Sequence, residues 1–423
     1  MNIPMSQGFD TNIANAEQNS RPARKNKTLA EIKEIQQSLV NNFKDVKDPR
    51  VDRTKKHLLT DILVIAILAI IAGAQGWEDI ENYGISKQVW LEQFLELPHG
   101  IPSDDTFRRM FESINPIQLE QCFNSWINTL VTQMGGQVIP IDGKTVRGSY
   151  DRNQNQSALH LISAWASEQR LVLAQMKVDD KSNEITAIPA LLELIDIAGS
   201  IITIDAMGPQ VEIAQKIIDK KADYILTLKA NHPTLFNQVK DFFQTAQQNG
   251  FSGIDVRYDK RIEKGHHRIE IREVWTIPVT AIPELYQPKL WPGLKTIVMV
   301  HRIRHLWNKT TSETHYYLTS LDSDAQIIGK AIRQHWEIEN KVHWSLDCTF
   351  GEDICRIRSF HSPRNFSLLR RLALNAVNRE STYQRSLRQK LKRAAMDNDY
   401  MLQILLSCFP DSTLDSSQPF CQA

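Results

Sequence analysis

Ile139-Pro140-Ile141-Asp142-Gly143-Lys144-Thr145-Val146-Arg147-Gly148 decides how this chain is read. A short apolar run ends in a carboxylate, a glycine follows at once, and a lysine and an arginine come next. An acid at a strand end, with a tight turn behind it, is placed to hold a metal ion. Cations beside it are placed to hold the phosphates on which such an ion acts. Asp-Gly is also a common turn, so the stretch gains meaning only if the chain supplies partners for Asp142. Pro140 lacks a backbone donor, so a strand over 138–142 must begin there or leave that side unpaired.

Asp205 is the first candidate partner. Ile201-Ile202-Thr203-Ile204-Asp205-Ala206-Met207-Gly208 repeats the pattern of apolar strand, aspartate, small residues and glycine. Two neighbouring strands ending in aspartates bring two carboxylates close, which is costly without a cation. Oxygen ligands of this kind suit Mg²⁺ or Mn²⁺. The plainer alternative is a pair of unrelated strand-end turns.

A third acid comes from a predicted long helix over 325–346, in Arg333-Gln334-His335-Trp336-Glu337-Ile338-Glu339-Asn340. At about 100° per residue, Glu339 falls among Ile332, Trp336, His343 and Leu346 on the apolar stripe. Glu337 points nearly the opposite way, with Arg333 and Lys341 on either side as a surface ladder. An acid on a buried face must be paired or bound to a cation. Glu339 is therefore the third candidate, with satisfaction by His335 or His343 as the alternative. Asp347, Glu352 and Asp353 follow as competing acids. Glu184 falls in a helix first turn, where capping explains it. His266-His267 makes a poor metal site, because adjacent side chains diverge.

The chain has 423 residues, enough for two or three domains. Its net charge of +1 gives no global polyanion signal, so any nucleic-acid surface must come from local clusters. The five cysteines form no CxxC pair, which favours a reducing cytoplasm. The apolar stretch 58–74 is interrupted by Asp61 and short for a membrane span. It predicts a buried helix and no membrane partner.

Composition and periodicity divide the chain into six parts. Residues 1–45 are a polar arm with a small basic cluster at Arg21, Arg24, Lys25 and Lys27. Residues 46–133 are helical, suited to DNA binding or dimerisation. There Ser103 caps one helix and Asn115-Pro116 opens the next, a pair able to enter a DNA groove or simply to pack. Residues 134–249 read strand, strand, strand, helix, strand, helix, strand, helix, which suggests a mixed sheet flanked by helices. The second and third strands form a hairpin around Ser167-Glu168-Gln169-Arg170. A helix over 184–197 is capped by Asn183 and closed by Gly199, and another begins at Pro209. Residues 250–322 read as a β-rich insertion, 323–380 as helices of the core, and 381–423 as a basic helical tail with Arg385, Arg388, Lys390, Lys392 and Arg393.

The three acids, together with Asp48-Pro49-Arg50, the run from Gly100 to Arg109, Lys181-Ser182-Asn183-Glu184-Ile185, Leu228-Lys229-Ala230-Asn231 and His343-Trp344-Ser345-Leu346-Asp347, occur in one order along the chain. In this the sequence resembles the DDE transposases, and within them the H-repeat-associated family of bacterial insertion sequences (the ISAs group). The resemblance spans about residues 48–409. It implies an α/β, ribonuclease-H-like catalytic core with a β-rich insertion, preceded by an α-helical domain. It further implies a triad of Asp142, Asp205 and Glu339 and two Mg²⁺ ions, with Mn²⁺ as a substitute. The expected reaction is cleavage and transfer of DNA strands at insertion-sequence ends. The implied partners are double-stranded DNA, as terminal inverted repeats and target, and a second copy in a homodimer, at the nucleoid in the cytoplasm. Candidate DNA contacts are Lys144, Arg147, Lys229, Asn231, Arg268, Arg333, His335 and His343. In related transposases a Tyr and an Arg precede the third acid and a Lys follows it; here Ile332, His335 and Leu346 take those places. A stand-alone nuclease of the same fold and an inactive, domesticated DNA-binding protein are the alternatives.

Overall fold

The computed structural model describes residues 43–131, 135–151, 157–179, 184–205, 211–265, 268–282 and 284–408. The arm over 1–42, Asn183, Pro209 and His266-His267 lie outside these ranges. Four helices open the described chain: α1 (Leu59–Ile71), α2 (Trp77–Leu91), α3 (Asp104–Ser113) and α4 (Pro116–Leu130). Helix α1 is buried from Asp61 to Ile71, as a helix apolar on all sides must be. The Asp61 carboxylate accepts the Leu97 N–H at 3.0 Å, so the one buried charge in the run keeps a partner. Both predicted caps form: Ser103 accepts from the Thr106 N–H, and Asn115 accepts from the Ile117 N–H with Pro116 in the first turn. Among the described residues no helix is long and apolar enough to cross a membrane.

The middle of the chain runs β1 (Val138–Val146), β2 (Leu159–Ala166), β3 (Leu171–Lys177), α5 (Glu184–Glu193), β4 (Ile201–Ile204), α6 (Val211–Asp219), β5 (Asp223–Leu228) and α7 (Pro233–Gln248). Then come β6 (Arg257–Gly265), β7 (Arg268–Pro278), β8 (Thr296–Leu306) and β9 (Thr310–Thr319). Among the described residues these strands form one nine-stranded sheet, ordered β3-β2-β1-β4-β5-β9-β8-β7-β6. The first three strands are an antiparallel meander. β4 lies parallel to β1, and β5 parallel to β4. β9 adds antiparallel to β5, so the β-rich stretch continues the sheet edge instead of standing apart from it.

Pro140 marks a change of partner within β1. The strand pairs with β4 over residues 138–141 and with β2 over 141–146. The β2 ladder thus starts one residue after the proline, where no donor is missing. β1 also runs past Asp142 to Val146, longer than the apolar run suggests. Beyond Asp142 its alternation continues, with Lys144 and Val146 buried and Thr145 exposed.

The C-terminal third holds α8 (Ala325–His335), a π-helical turn (Ile338–His343), α9 (Trp344–Cys348), α10 (Ser362–Arg379), α11 (Leu387–Met396) and α12 (Asn398–Leu406). Helix α8 covers one sheet face, packing on β1, β4, β6 and β7. There Ile328, Ala331 and Ile332 meet Val138, Ile225 and Val298. Helix α10 packs against α1 and β3 and is buried through most of its length, Arg370 and Arg371 included. The basic tail is tied down: the Arg393 guanidinium lies 4.6 Å from the Tyr383 ring centre and 4.5 Å from that of Tyr400.

Candidate active site

Strands β1 and β4 run side by side in the same direction, with Ile141 opposite Ile204. Asp142 and Asp205 are the next residues on each, so two carboxylates leave neighbouring strands about 4.8 Å apart. The carboxyl ends of parallel strands are where an open sheet forms its crevice.

Glu339 arrives by a different route from the one its spacing predicts. Helix α8 stops at His335, and residues 338–343 wind as a π turn. A turn closed by i→i+5 bonds rotates less per residue than an α-helix, so the face predicted at about 100° per residue does not carry through. Ile338 and Val342 take the buried positions and Glu339 is exposed. It does not sit in an apolar stripe. It lines a cavity of about 270 Å³ against the outer strands, and Glu337 is not among that cavity's lining residues.

The acids feel one another. Burial pushes the Asp142 carboxyl up to about 7; Glu184, Glu339 and Asp205 add to the rise, and the Gly143 N–H opposes it. Burial and then Asp205 raise the Glu339 carboxyl, with Arg302 in opposition. His343 Nδ1 lies 3.5 Å from Asp142 Oδ2. Burial first, then Arg371 and Lys144, hold the His343 imidazole down at about 3, so it is neutral and does not compensate Asp142. Lys229 Nζ lies 3.1 Å from Asp205 Oδ1. Among the described residues no three His, Cys, Asp or Glu side chains are drawn together as tightly as a metal shell. The donor set still fits a hard divalent cation: it is all carboxylate, and Glu184, Glu339 and Asp205 all raise the Asp142 carboxyl.

Lys144 faces elsewhere. Its ammonium, 7% exposed, lies 2.6 Å from Asp347, 3.0 Å from Asp353 and 3.7 Å from Glu352. Glu352 is fully buried and meets Arg371 at 3.0 Å and Ser367 Oγ at 2.6 Å. Burial alone would raise its carboxyl, but Arg371, Arg370 and Lys144 hold it down at about 2. Lys144 is thus the counter-ion of a closed cluster and does not point toward open phosphate. His335 is also turned inward, with Nδ1 2.9 Å from Thr203 Oγ1 on β4. Arg147 is 83% exposed beside Asp353, and Asn231 is exposed on the turn after β5. Arg333 reaches Glu263 at 3.6 Å, and Arg268 reaches Glu270 at 3.9 Å.

Two features were legible only in part: the sequence marks Arg268 and Arg333 as DNA contacts and Glu184 as a first-turn acid. Arg268, Arg272, Arg302, Arg304 and Arg333 line the cavity beside Glu339, with Glu270 and Glu339 as its only acids. An adjoining cavity of about 210 Å³ holds Asp205, Lys229 and His335, and shares Arg302, Tyr317 and Trp336 with the first. The alternation of basic residues along β7 and β8 carried that signal. The second feature is Glu184, which stands beside Asp142. Its sequence marks were a first-turn position and the run from Lys181 to Ile185, with Gly143 as the glycine that makes room for it.

Residues 133–376 match the family model described as Transposase DDE domain, and residues 40–127 match the model described as DDE_Tnp_1-associated. The "H repeat-associated putative transposase YhhI" of Escherichia coli (strain K12) is 37% identical over 87% of this chain and 97% of its own length. The chain belongs to the DDE transposase family. It is similar to the H repeat-associated members in particular, and "Putative transposase YncI" of Escherichia coli O157:H7 is 37% identical over 88% of this chain and 95% of its own. All three candidate acids fall within the segment matched to the transposase domain. Among solved structures, a piggyBac transposase synaptic complex with hairpin DNA aligns over 92% of this chain and 80% of that chain, at 11% identity. The TM-score is 0.41.

Proposed function

We propose that this chain is a DNA transposase that cleaves insertion-sequence ends and joins them to target DNA, with Asp142, Asp205 and Glu339 as the cation-holding acids. One observation carries the reading: Asp142 and Asp205 directly follow the last paired residues of two adjacent parallel strands, with Glu184 and Glu339 acting on Asp142 as well. The strand order supports a ribonuclease-H-like core, since an antiparallel meander is extended by two strands parallel to its first. Asp142, Asp205 and Glu339 would hold the two divalent ions, Mg²⁺ or Mn²⁺. When bound, such ions supply charge for the attacking and leaving oxygens of a phosphodiester.

The chain's own groups do the rest. The five arginines beside Glu339 hold backbone phosphates without reading bases. Lys229 offsets charge at Asp205 until a cation is present. His343, neutral and against Asp142, fixes the direction of that carboxylate. Lys144 acts from behind, keeping β1 registered on the loop after α9. Arg147 and Asn231 are exposed enough to touch a second stretch of backbone. Double-stranded DNA is the partner, as terminal inverted repeats and target, and joining two ends calls for two copies of the chain.

Labelled element ends, Mg²⁺ and a target plasmid test this. Wild type cleaves and joins; Asp142→Asn, Asp205→Asn and Glu339→Gln do neither. Cleavage without joining would make the chain a nuclease. Unimpaired joining by the three variants would remove the acids from their role.

A further inference from the structure

Glu184 is the first described residue of α5, a place that a capping role would explain on its own. Its carboxylate does something else. Glu184 Oε1 lies 2.7 Å from His160 Nε2, and His160 Nδ1 lies 2.9 Å from Thr145 Oγ1. With a carboxylate as acceptor, Nε2 donates and Nδ1 accepts the threonine hydroxyl. Both imidazole nitrogens are committed, so the ring is a clamp with one orientation. Thr145 and His160 face each other across the β1–β2 ladder, which fixes the clamp to the sheet beside Asp142.

The clamp sets Glu184 over Gly143. A Cβ at residue 143 would stand 2.0 Å from Glu184 Oε1 and 2.9 Å from His160 Nε2. Glycine directly after Asp142 is therefore required by the volume that this carboxylate fills, more than by a turn, since Gly143 lies inside β1. A negative charge held so near another, its partner among the described residues being the His160 imidazole, raises the demand of the site for an external cation.

We propose that Glu184, clamped by His160 and Thr145, is a positioning residue of the catalytic centre whose charge acts through Asp142 to set the affinity for divalent cations. This rests on the reading of Asp142 as a cation-holding acid. The clamp resembles the way outer partners orient ligands around metal centres generally. Thr145 and His160 fix the geometry, Glu184 supplies the charge, and Gly143 supplies the space.

Calorimetric titration of the full chain with Mn²⁺, without DNA, tests it. Glu184→Gln keeps the shape and a hydrogen bond but removes the charge; its Mn²⁺ affinity should fall about tenfold. His160→Ala should fall in the same direction by less, and His160→Gln, which keeps a donor, should recover most of the loss. The Mg²⁺ concentration for half-maximal joining should rise in step, with little change in rate at saturating Mg²⁺. Metal affinity in Glu184→Gln within twofold of wild type overturns the proposal, as does a drop in metal-free melting temperature as the sole effect. Asp142→Asn in the same titration separates the two readings. Loss of binding there with none in Glu184→Gln removes Glu184 alone, whereas unchanged binding there removes Asp142 itself.

Discussion

Two acid clusters meet the same strand two residues apart, at Asp142 and at Lys144, and the most buried carboxyl of each titrates in the opposite direction. At Asp142 the carboxyl is pushed up to about 7, and at Glu352 it is held down at about 2, although Glu352 is the more buried. Burial works against both charges. The difference lies in the counter-ions. Glu352 has Arg370, Arg371 and Lys144 around it, whereas Asp142 has Glu184, Glu339, Asp205 and a neutral histidine. A cluster that brings its own cations is finished at folding, and it braces the loop after α9 against β1. At the other, Lys229 meets Asp205 but not Asp142, and under the proposed function an external cation would complete it.

The contrast can be broken most severely at Asp142. Asp142→Asn should reduce strand joining on the order of a thousandfold or more, the scale of several kcal/mol of lost charge stabilisation. The metal-free variant should nonetheless be the more stable protein at pH 8. The sign follows from the raised carboxyl: Asp142 opposes folding fully above about 7, and the penalty fades as pH falls toward the ordinary 3.8. Urea unfolding of both proteins across that range should show the gap closing.

Glu352→Gln is the opposite case. It strands Arg371 in the interior, so unfolding in urea should show a loss of about 3–5 kcal/mol. Here the carboxyl is depressed, so its contribution is complete above 4.5 and is lost as pH falls toward about 2. The deficit of Glu352→Gln should therefore shrink with acid below pH 4.5 and stay constant above it.

Gly143→Ala is a smaller perturbation that sharpens the boundary between the clusters. The new methyl meets Glu184 Oε1 at 2.0 Å, an overpacking expected to cost about 1–3 kcal/mol in chemical denaturation. Glu184→Ala in the same chain should return most of that loss. Smallest is Arg304→Ala in the arginine-lined cavity. It should weaken binding to any duplex sequence and lower the slope of log affinity against log salt by about 1 in a filter or fluorescence assay.

Local rules made much of this legible. Ser103, Asn115-Pro116 and the hairpin turn at residues 167–170 carry their signals within a few residues, and each stands where the sequence places it. The position of Asp205 just after β4 was readable for the same reason, whereas Asp142 lies inside β1 and not at its end. Glu339 was selected by an α-helical face that the chain abandons at residue 338, because a π turn leaves no mark in hydrophobic spacing. Lys144 was read as open to phosphate because its partners, Asp347 and Asp353, lie more than two hundred positions away. Glu184 was hidden behind a sufficient local explanation, a first-turn acid. Its clamp on His160 crosses from a helix start to a strand.

Thermal unfolding of the full chain with and without saturating Mn²⁺ addresses the cation-deficient centre most directly. Wild type and Glu352→Gln should both gain melting temperature on adding Mn²⁺, and Asp142→Asn should gain none. An equal gain in Asp142→Asn would contradict the assignment of Asp142 as the acid that an external cation completes.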